Sequence, residues 1–415
     1  MILNLAFEQK TEAPVCPSAA FSRVVLICGK RGSGKSYTLG VIAEELAKLD
    51  HFLVILVDPM GVFWSMGLPV NGAKSPAVNI LVPGDPAERY SPRALARMQE
   101  LGVLFSRITL NPAALSAQAW CDLFDLSMSE PLGICLYRAV RACQRKKEGG
   151  TGKTENGKGR GENGKEKMED GNPSSPFHSP SSILHSPFSI RDIMAEVESD
   201  GKAADRTREA LINRLDMADA WGVFAENADL ESGLKEDHIN VLDLSIIDPG
   251  LHGLRNLILA LLCRDLFARR IRARREEELG LIPLERRIWL LIDEAHQFAP
   301  TGRSSIAKDV LIRWVKEGRQ PGLSFVAVSQ QPGAIDTDLL SQCDLLIVHK
   351  ITAQEDLSAV SKLGQSYIRG DLKVYIKRIR EPGEVIIVDD HEERLWMGQV
   401  RKRETRHGGS ELPLG

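Results

Sequence analysis

No two cysteines of this chain stand at C-x-x-C spacing, although there are seven: Cys16, Cys28, Cys121, Cys135, Cys143, Cys263 and Cys343. Several lie inside apolar runs, so they read as reduced packing residues and not as a disulfide or zinc framework. Neither charge is in excess: 53 Lys and Arg stand against 56 Asp and Glu, a formal net charge of -3. No global basic field therefore announces nucleic acid, although a channel or loop is free to be locally basic. There is no long apolar run. The most apolar helical segment, Leu257–Phe267, is interrupted by Arg264 and Asp265 and is too short to span a bilayer. The start, Met1–Glu8, lacks the basic n-region of a signal peptide. These absences place the expected protein in the cytoplasm with no membrane partner. No internal repeat is visible. What remains is 415 residues with 43% hydrophobic and 26% charged side chains, an ordinary soluble composition, long enough for one large α/β domain or two domains.

Against that background one stretch stands out. The apolar run Val24–Cys28 ends in Gly29, four residues intervene, Gly34-Lys35-Ser36 follows, and a helix-forming segment begins at Tyr37. This is the phosphate-binding loop pattern G-x-x-x-x-G-K-[ST] between a strand and a helix. Glycines let the backbone turn its N–H groups inward, where side chains would block a phosphate. The helix start adds unpaired donors and a positive dipole end. Lys35 is placed to reach the β- and γ-phosphates, and the Ser36 hydroxyl to ligate Mg²⁺.

The rest of the chain reads as an α/β fold with a mainly parallel sheet. Phe52–Val57 is a buried strand ending at Asp58-Pro59, so strand, helix and strand argue for a right-handed crossover. Further strands are expected at Val78–Val82, Leu104–Leu110, Ile239–Leu244, Ile288–Ile292, Leu323–Val328 and Asp344–Val348, with a closing antiparallel pair at Glu384–Val388 and Leu395–Val400. Residues 1–21 are expected as a short N-terminal arm or a small strand, 22–111 and 236–400 as the core, 112–235 as a helical insertion and 401–415 as a flexible tail. Within the insertion, 144–188 is rich in Gly, Lys, Glu, Asn, Ser and Pro and is expected to be disordered. Gly149–Thr154 imitates the tail of a second phosphate loop, but Lys147 stands where the first glycine belongs and no strand precedes it. The run Arg269–Arg275 reads either as a solvated helix end, compensated by Glu276–Glu278, or as a surface facing DNA or a second subunit.

Three further places carry chemistry. The strand Ile288–Ile292 ends in Asp293-Glu294. Neighbours on a strand point different ways, so Asp293 is free to hold Mg²⁺ while Glu294 orients water as a base. Gln330 follows the apolar run Phe325–Val328, and a polar residue at the tip of a core parallel strand faces the ligand crevice. Arg319 lies in the loop that enters the same strand, where an arginine is placed to act on a neighbouring subunit's nucleotide.

With these motifs in view the sequence resembles the HerA/FtsK superfamily of ring-forming motor ATPases, specifically the HerA-like branch. The resemblance rests on Gly29–Ser36, Ile292–Phe298, Lys316–Arg319, Val328–Pro332, Ser341–Asp344 and Pro382–Val385. It implies a RecA-like P-loop core with a helical insertion between the two Walker motifs. Gly29, Lys30, Arg31, Gly32, Ser33, Gly34, Lys35, Ser36 and Tyr37 would bind ATP, and Ser36 and Asp293 the Mg²⁺. Glu294 would be the catalytic base, Gln330 the sensor and Arg319 the arginine finger in trans. The implied function is a hexameric ATP-driven DNA translocase or helicase in DNA processing, with DNA as partner and a nuclease as a further one. DNA would be gripped through cations such as those of Arg303–Lys308. The pattern departs from the family at Lys350, where many relatives have arginine, and in two further ways. Only about twenty residues precede the first strand, where relatives carry a β-barrel. The second strand ends in Asp58-Pro59-Met60-Gly61-Val62 where relatives have Asp-Pro-His-Gly-Glu. Two other readings stay open: a motor that transfers or remodels protein, and a slow nucleotide-dependent switch or scaffold.

Overall fold

The computed structural model describes residues 1–9, 11–70, 75–148, 188–226, 228, 230–248, 250, 252–363 and 372–408. The apolar runs form a 12-stranded sheet. Its strands are β1 (Ala6–Glu8), β2 (Pro14–Val15), β3 (Val24–Cys28), β4 (Phe52–Asp58), β5 (Val78–Pro83), β6 (Leu104–Ile108), β7 (Ile239–Asp243), β8 (Arg287–Ile292), β9 (Leu323–Ser329), β10 (Leu345–Val348), β11 (Glu384–Asp389) and β12 (Arg394–Val400). The spatial order is β2-β1-β12-β11-β10-β3-β9-β8-β4-β7-β5-β6. From β10 to β6 every pairing is parallel. Such strands are covered on both faces, which is why β4 is buried along its whole length and why its sequence is an unbroken apolar run.

The order matters for function. After β3 the chain runs through α1 (Lys35–Ala47) to β4, leaving a gap that β9 and β8 later fill. Ligands bind at the carboxyl ends of strands where the winding reverses. Here the carboxyl ends of β3, β9 and β8 stand side by side, carrying the Gly29 loop, Gln330 and Asp293-Glu294 respectively.

Both chain ends are tied to the core. The N-terminal segment forms small strands: β1 pairs antiparallel with β12 and with β2 and extends the sheet. Residues 401–408 are no frayed tail. They cross α1, where Glu44 and Glu45 are buried in an otherwise apolar helix. Arg401 Nη1 lies 2.9 Å from Glu44 Oε2, and its Nη2 lies 2.7 Å from Glu45 Oε1. Thr405 donates to Glu44 Oε1 from its N at 3.0 Å and its Oγ1 at 2.7 Å. The approach is close enough that a Cβ on Gly40 would stand 2.5 Å from Arg403 Cζ. A charged sequence is thus held because the buried carboxylates need cations and donors. At the start of β3, Arg23 makes a fully buried bidentate pair with Asp389 of β11 at 3.0 and 2.8 Å.

The chain divides into two compact units, 1–109 with 229–415, and 110–228. The second unit is helical: α3 (Ala117–Leu123), α4 (Pro131–Glu148), α5 (Ile190–Glu198) and α6 (Asp205–Ala220), with α2 (Pro92–Glu100) preceding them in the first unit. Ser116 caps α3, and Ser189 with Asp192 forms a capping box on α5, satisfying donors that a helix start leaves open. Buried Trp120 stacks with Phe124 and Phe224 at 6.1 and 5.4 Å. Residues 144–148, expected as disordered, belong to α4. The remainder of that stretch up to 187, with the imitation loop Gly149–Thr154, lies outside the described residues.

Glu44→Ala should destabilise the protein by about 3–5 kcal/mol, because it strands buried Arg403 without its counter-charge and removes one of the carboxylates paired with Arg401. Urea unfolding at unchanged slope measures this. A loss below about 1 kcal/mol would mean that the C-terminal segment is held by something else.

Candidate active site

The loop Gly29–Ser36 leaves β3 and enters α1 at Gly34, the residue before the helix, in the left-handed region with φ 108°. The loop is tied from both sides: Lys30 N donates to Lys350 O at 2.7 Å, and Gly383 N donates to Ser33 O at 3.1 Å. Beneath it lies His349, fully buried, with Nε2 2.9 Å from Thr38 Oγ1. A Cβ on Gly29 would stand 2.6 Å from His349 Cβ, so only glycine lets the strand end pass over that ring. Lys35 is buried and donates to Lys30 O at 2.9 Å. Burial lowers its pKa, and Glu294 and Asp293 oppose that shift.

The acidic pair meets this loop. Ser36 Oγ donates to Asp293 Oδ2 at 3.0 Å, so the predicted cation-holding residues are in contact. Burial, reinforced by the neighbouring Glu294 charge, pushes the Asp293 carboxyl up to about 7. Glu294 stands in the left-handed region at φ 48°, ψ 48°. For a residue with a Cβ this costs on the order of 1–3 kcal/mol, and it turns the side chain back into the cleft. Gln330 Nε2 donates to Glu294 Oε1. Glu294 Oε2 is buried and accepts no hydrogen bond among the described residues, with His296 Nδ1 3.4 Å away. Burial holds His296 below its ordinary pKa in spite of Glu294. Hydroxyl and carboxylate oxygens are the donors that Mg²⁺ prefers, so Ser36 and Asp293 fit that ion.

These residues line a cleft of about 970 Å³ together with Arg31, Tyr37, Met60 and Val62 and with residues from the final hairpin and beyond, among them Gln399, Lys402 and His407. Of the residues expected from the sequence, Lys35, Ser36, Asp293, Glu294 and Gln330 are brought together. Arg319 is not. It precedes β9 and is exposed, whereas Gln330 follows the other end of that strand, about 20 Å away at the rise of a strand. Its side chain has no polar partner among the described residues. The basic run on α7 (His252–Glu278) is compensated within the chain at three of its five arginines. Arg270 is buried against Glu277, Arg269 pairs with Glu231 and Glu285, and Arg274 with Glu277 and Glu278. In the Arg303–Lys308 segment, Lys308 is bound to Asp336 at 2.6 Å. His349 went unread in the sequence, and the segment after β12 was read as a flexible tail. For the segment a signal existed: two carboxylates inside the apolar face of α1 require cations from elsewhere.

His349 gives the site a pH signature. Burial, then the Lys35 charge, lowers its pKa to about 3, against about 6.5 when unfolded. The unfolded chain therefore binds more protons in that window, and stability present above pH about 6.5 is lost as pH falls. Wild-type protein should lose up to about 1.4 kcal/mol per pH unit more than His349→Asn between about pH 6 and 4. Parallel unfolding curves for the two proteins across that range would contradict a neutral buried imidazole.

Similarity to known proteins agrees with this geometry. The family model described as "Helicase HerA, central domain" matches residues 4–266. A probable helicase of Methanocaldococcus jannaschii is 33% identical over 127 residues, which cover 31% of this chain and 24% of that protein. The DNA double-strand break repair helicase HerA of Sulfolobus acidocaldarius is 22% identical over 405 residues, covering 95% of this chain and 68% of that protein. Among solved structures, VirB4 of Thermoanaerobacter pseudethanolicus superposes with a TM-score of 0.59 at 14% identity, covering 96% of each chain. That likeness extends over the RecA-like core, and no helix among the described residues is long and apolar enough to cross a membrane. With the family match spanning more than half its length and the motif residues assembled in one cleft, the chain belongs to the HerA helicase central-domain family.

Proposed function

We propose that this chain is an ATP-hydrolysing motor that assembles into a ring, a hexamer in the reading the resemblance supplies, and moves along DNA. The observation that supports hydrolysis is the meeting of Lys35, Ser36, Asp293, Glu294 and Gln330 at the carboxyl ends of neighbouring strands. The loop N–H groups and Lys35 hold the β- and γ-phosphates of ATP. Ser36 and Asp293 would hold Mg²⁺, which would supply positive charge to offset that of the phosphates. Glu294 takes a proton from the attacking water on its unpaired Oε2. Gln330 fixes the other carboxylate oxygen and so links the position of the base to the tip of β9.

The exposed Arg319 supports the ring. It lies too far along β9 to serve its own cleft, and a head-to-tail arrangement brings such a residue to a neighbour's γ-phosphate and closes into a ring. The HerA relatives are named as DNA double-strand break repair helicases, which favours DNA as the substrate over protein. A nuclease partner in DNA end processing belongs to the same reading.

Glu294→Gln should bind ATP and lower turnover by about 10²–10⁴-fold. Turnover within about twofold of wild type would unseat Glu294 as the base. Duplex or single-stranded DNA should raise ATP turnover, and binding should weaken steeply with salt. If no nucleic acid does so, the motor acts on protein or the chain is a slow switch. In mixtures, Arg319→Ala subunits should partly recover turnover beside Glu294→Gln subunits. No recovery at any ratio would remove Arg319 from the neighbour's site.

A further inference from the structure

The catalytic groups account for only part of the cleft lining. At about 970 Å³ the cleft lies at the upper end of the range for small-molecule sites, about 300–1,000 Å³, with room for a nucleoside as well as its phosphates. The remaining lining includes Tyr37, Pro382, Gly383, Lys402 and His407. The geometry points to a nucleobase subsite walled by Tyr37 and by the segment that follows β12, with His407 as its second ring. This inference rests on the reading of Gly29–Ser36 as a nucleotide loop and adds to it where the heterocycle goes.

The two rings are held by the fold. Tyr37 directly follows Ser36 on α1, and its hydroxyl accepts from Arg403 N at 2.6 Å. The His407 ring meets the Tyr37 ring edge-on, with centroids 5.8 Å apart and planes at 77°. Arg403 Nη1 lies 3.2 Å from His407 Nδ1. An arginine only donates, so Nδ1 accepts and the ring hydrogen sits on Nε2. Burial and the Arg403 charge lower the His407 pKa to about 4, which leaves a neutral, flat, amphipathic ring at the cleft. Lys402 beside it is exposed, a cation at hand for the π-face of a bound base. The Glu44, Arg401, Arg403 and Thr405 network fixes the whole segment against the helix that carries the phosphate loop. Aromatic walls of this kind bind bases by stacking.

The test separates base from phosphates. Binding of ATP and of inorganic tripolyphosphate, both with Mg²⁺, is measured by calorimetry on the full chain and on His407→Ala and Tyr37→Leu variants. Each variant should bind ATP about tenfold more weakly, with tripolyphosphate affinity within about twofold of wild type. Retained tripolyphosphate binding also shows that the variant is folded around its loop. ATP affinity unchanged in both variants, or equal losses for both ligands, would overturn the subsite while leaving the phosphate loop standing. Wild-type protein that binds neither ligand would instead overturn the nucleotide reading itself.

Discussion

Lys35, Asp293 and Glu294 are buried within one cleft, and their desolvation sets the terms for the rest of the site. Burial drives Lys35 toward its neutral form and pushes Asp293 up to about 7. Each therefore gains from a ligand that restores its charge: phosphate oxygens for the lysine, a divalent cation for the aspartate. The Ser36–Asp293 hydrogen bond at 3.0 Å holds the protein's own hard oxygens together in the meantime. The left-handed backbone at Glu294 belongs to the same arrangement. A strand that ended normally would not return the second carboxylate to the cleft, so local strain is stored where the chemistry is placed.

The same electrostatic rule recurs near the far end of α1. Glu44 and Glu45 are buried on the helix that begins at the phosphate loop, and buried carboxylates need partners. The chain supplies them from its far end, with Arg401, Arg403 and Thr405. Burial of acid on the first helix therefore decides where the C-terminal segment lies, and that segment forms part of the cleft that the helix opens into. Residues more than 350 positions apart, such as Glu45 and Arg401, belong to one site for this reason.

How much was legible follows from the range of each interaction. The Gly29–Ser36 loop and Ile288–Glu294 were readable because their chemistry is local: strand, turn and side chains lie consecutively. The parallel strands were readable because strands buried on both faces must be apolar throughout. Helix α2 was not read, since it is short and only Met98 of its residues is buried. Pro92 at its first turn and Ser91 as its cap were the available signals. The N-terminal strands are short and marginal alone; they form because β12 offers an edge. The tail was misread because a run such as Arg401-Lys402-Arg403-Glu404 looks solvated unless the buried acids of α1 are counted as unmet demands. His349 lay hidden for the opposite reason, since a lone histidine after an apolar strand carries no local sign that a loop will fold over it.

The departure at the end of β4 bears on which group accepts the proton. Asp58 is buried and accepts from Met60 N, Gly61 N and Phe63 N at 3.1, 2.7 and 2.8 Å, so it anchors the turn, and the cleft is lined by other residues. Met60 and Val62 line the cleft, and their side chains bring no carboxylate to it. Among the described lining residues the carboxylates are Asp293 and Glu294 alone. Asp293 is engaged by Ser36 through Oδ2 and by Glu294 N through Oδ1. Glu294 keeps a buried oxygen with no hydrogen bond. An apolar turn thus narrows the chemistry instead of abolishing it. In the proposed mechanism, with no second acid after Gly61 to share the task, the proton of an attacking water has one carboxylate oxygen to go to.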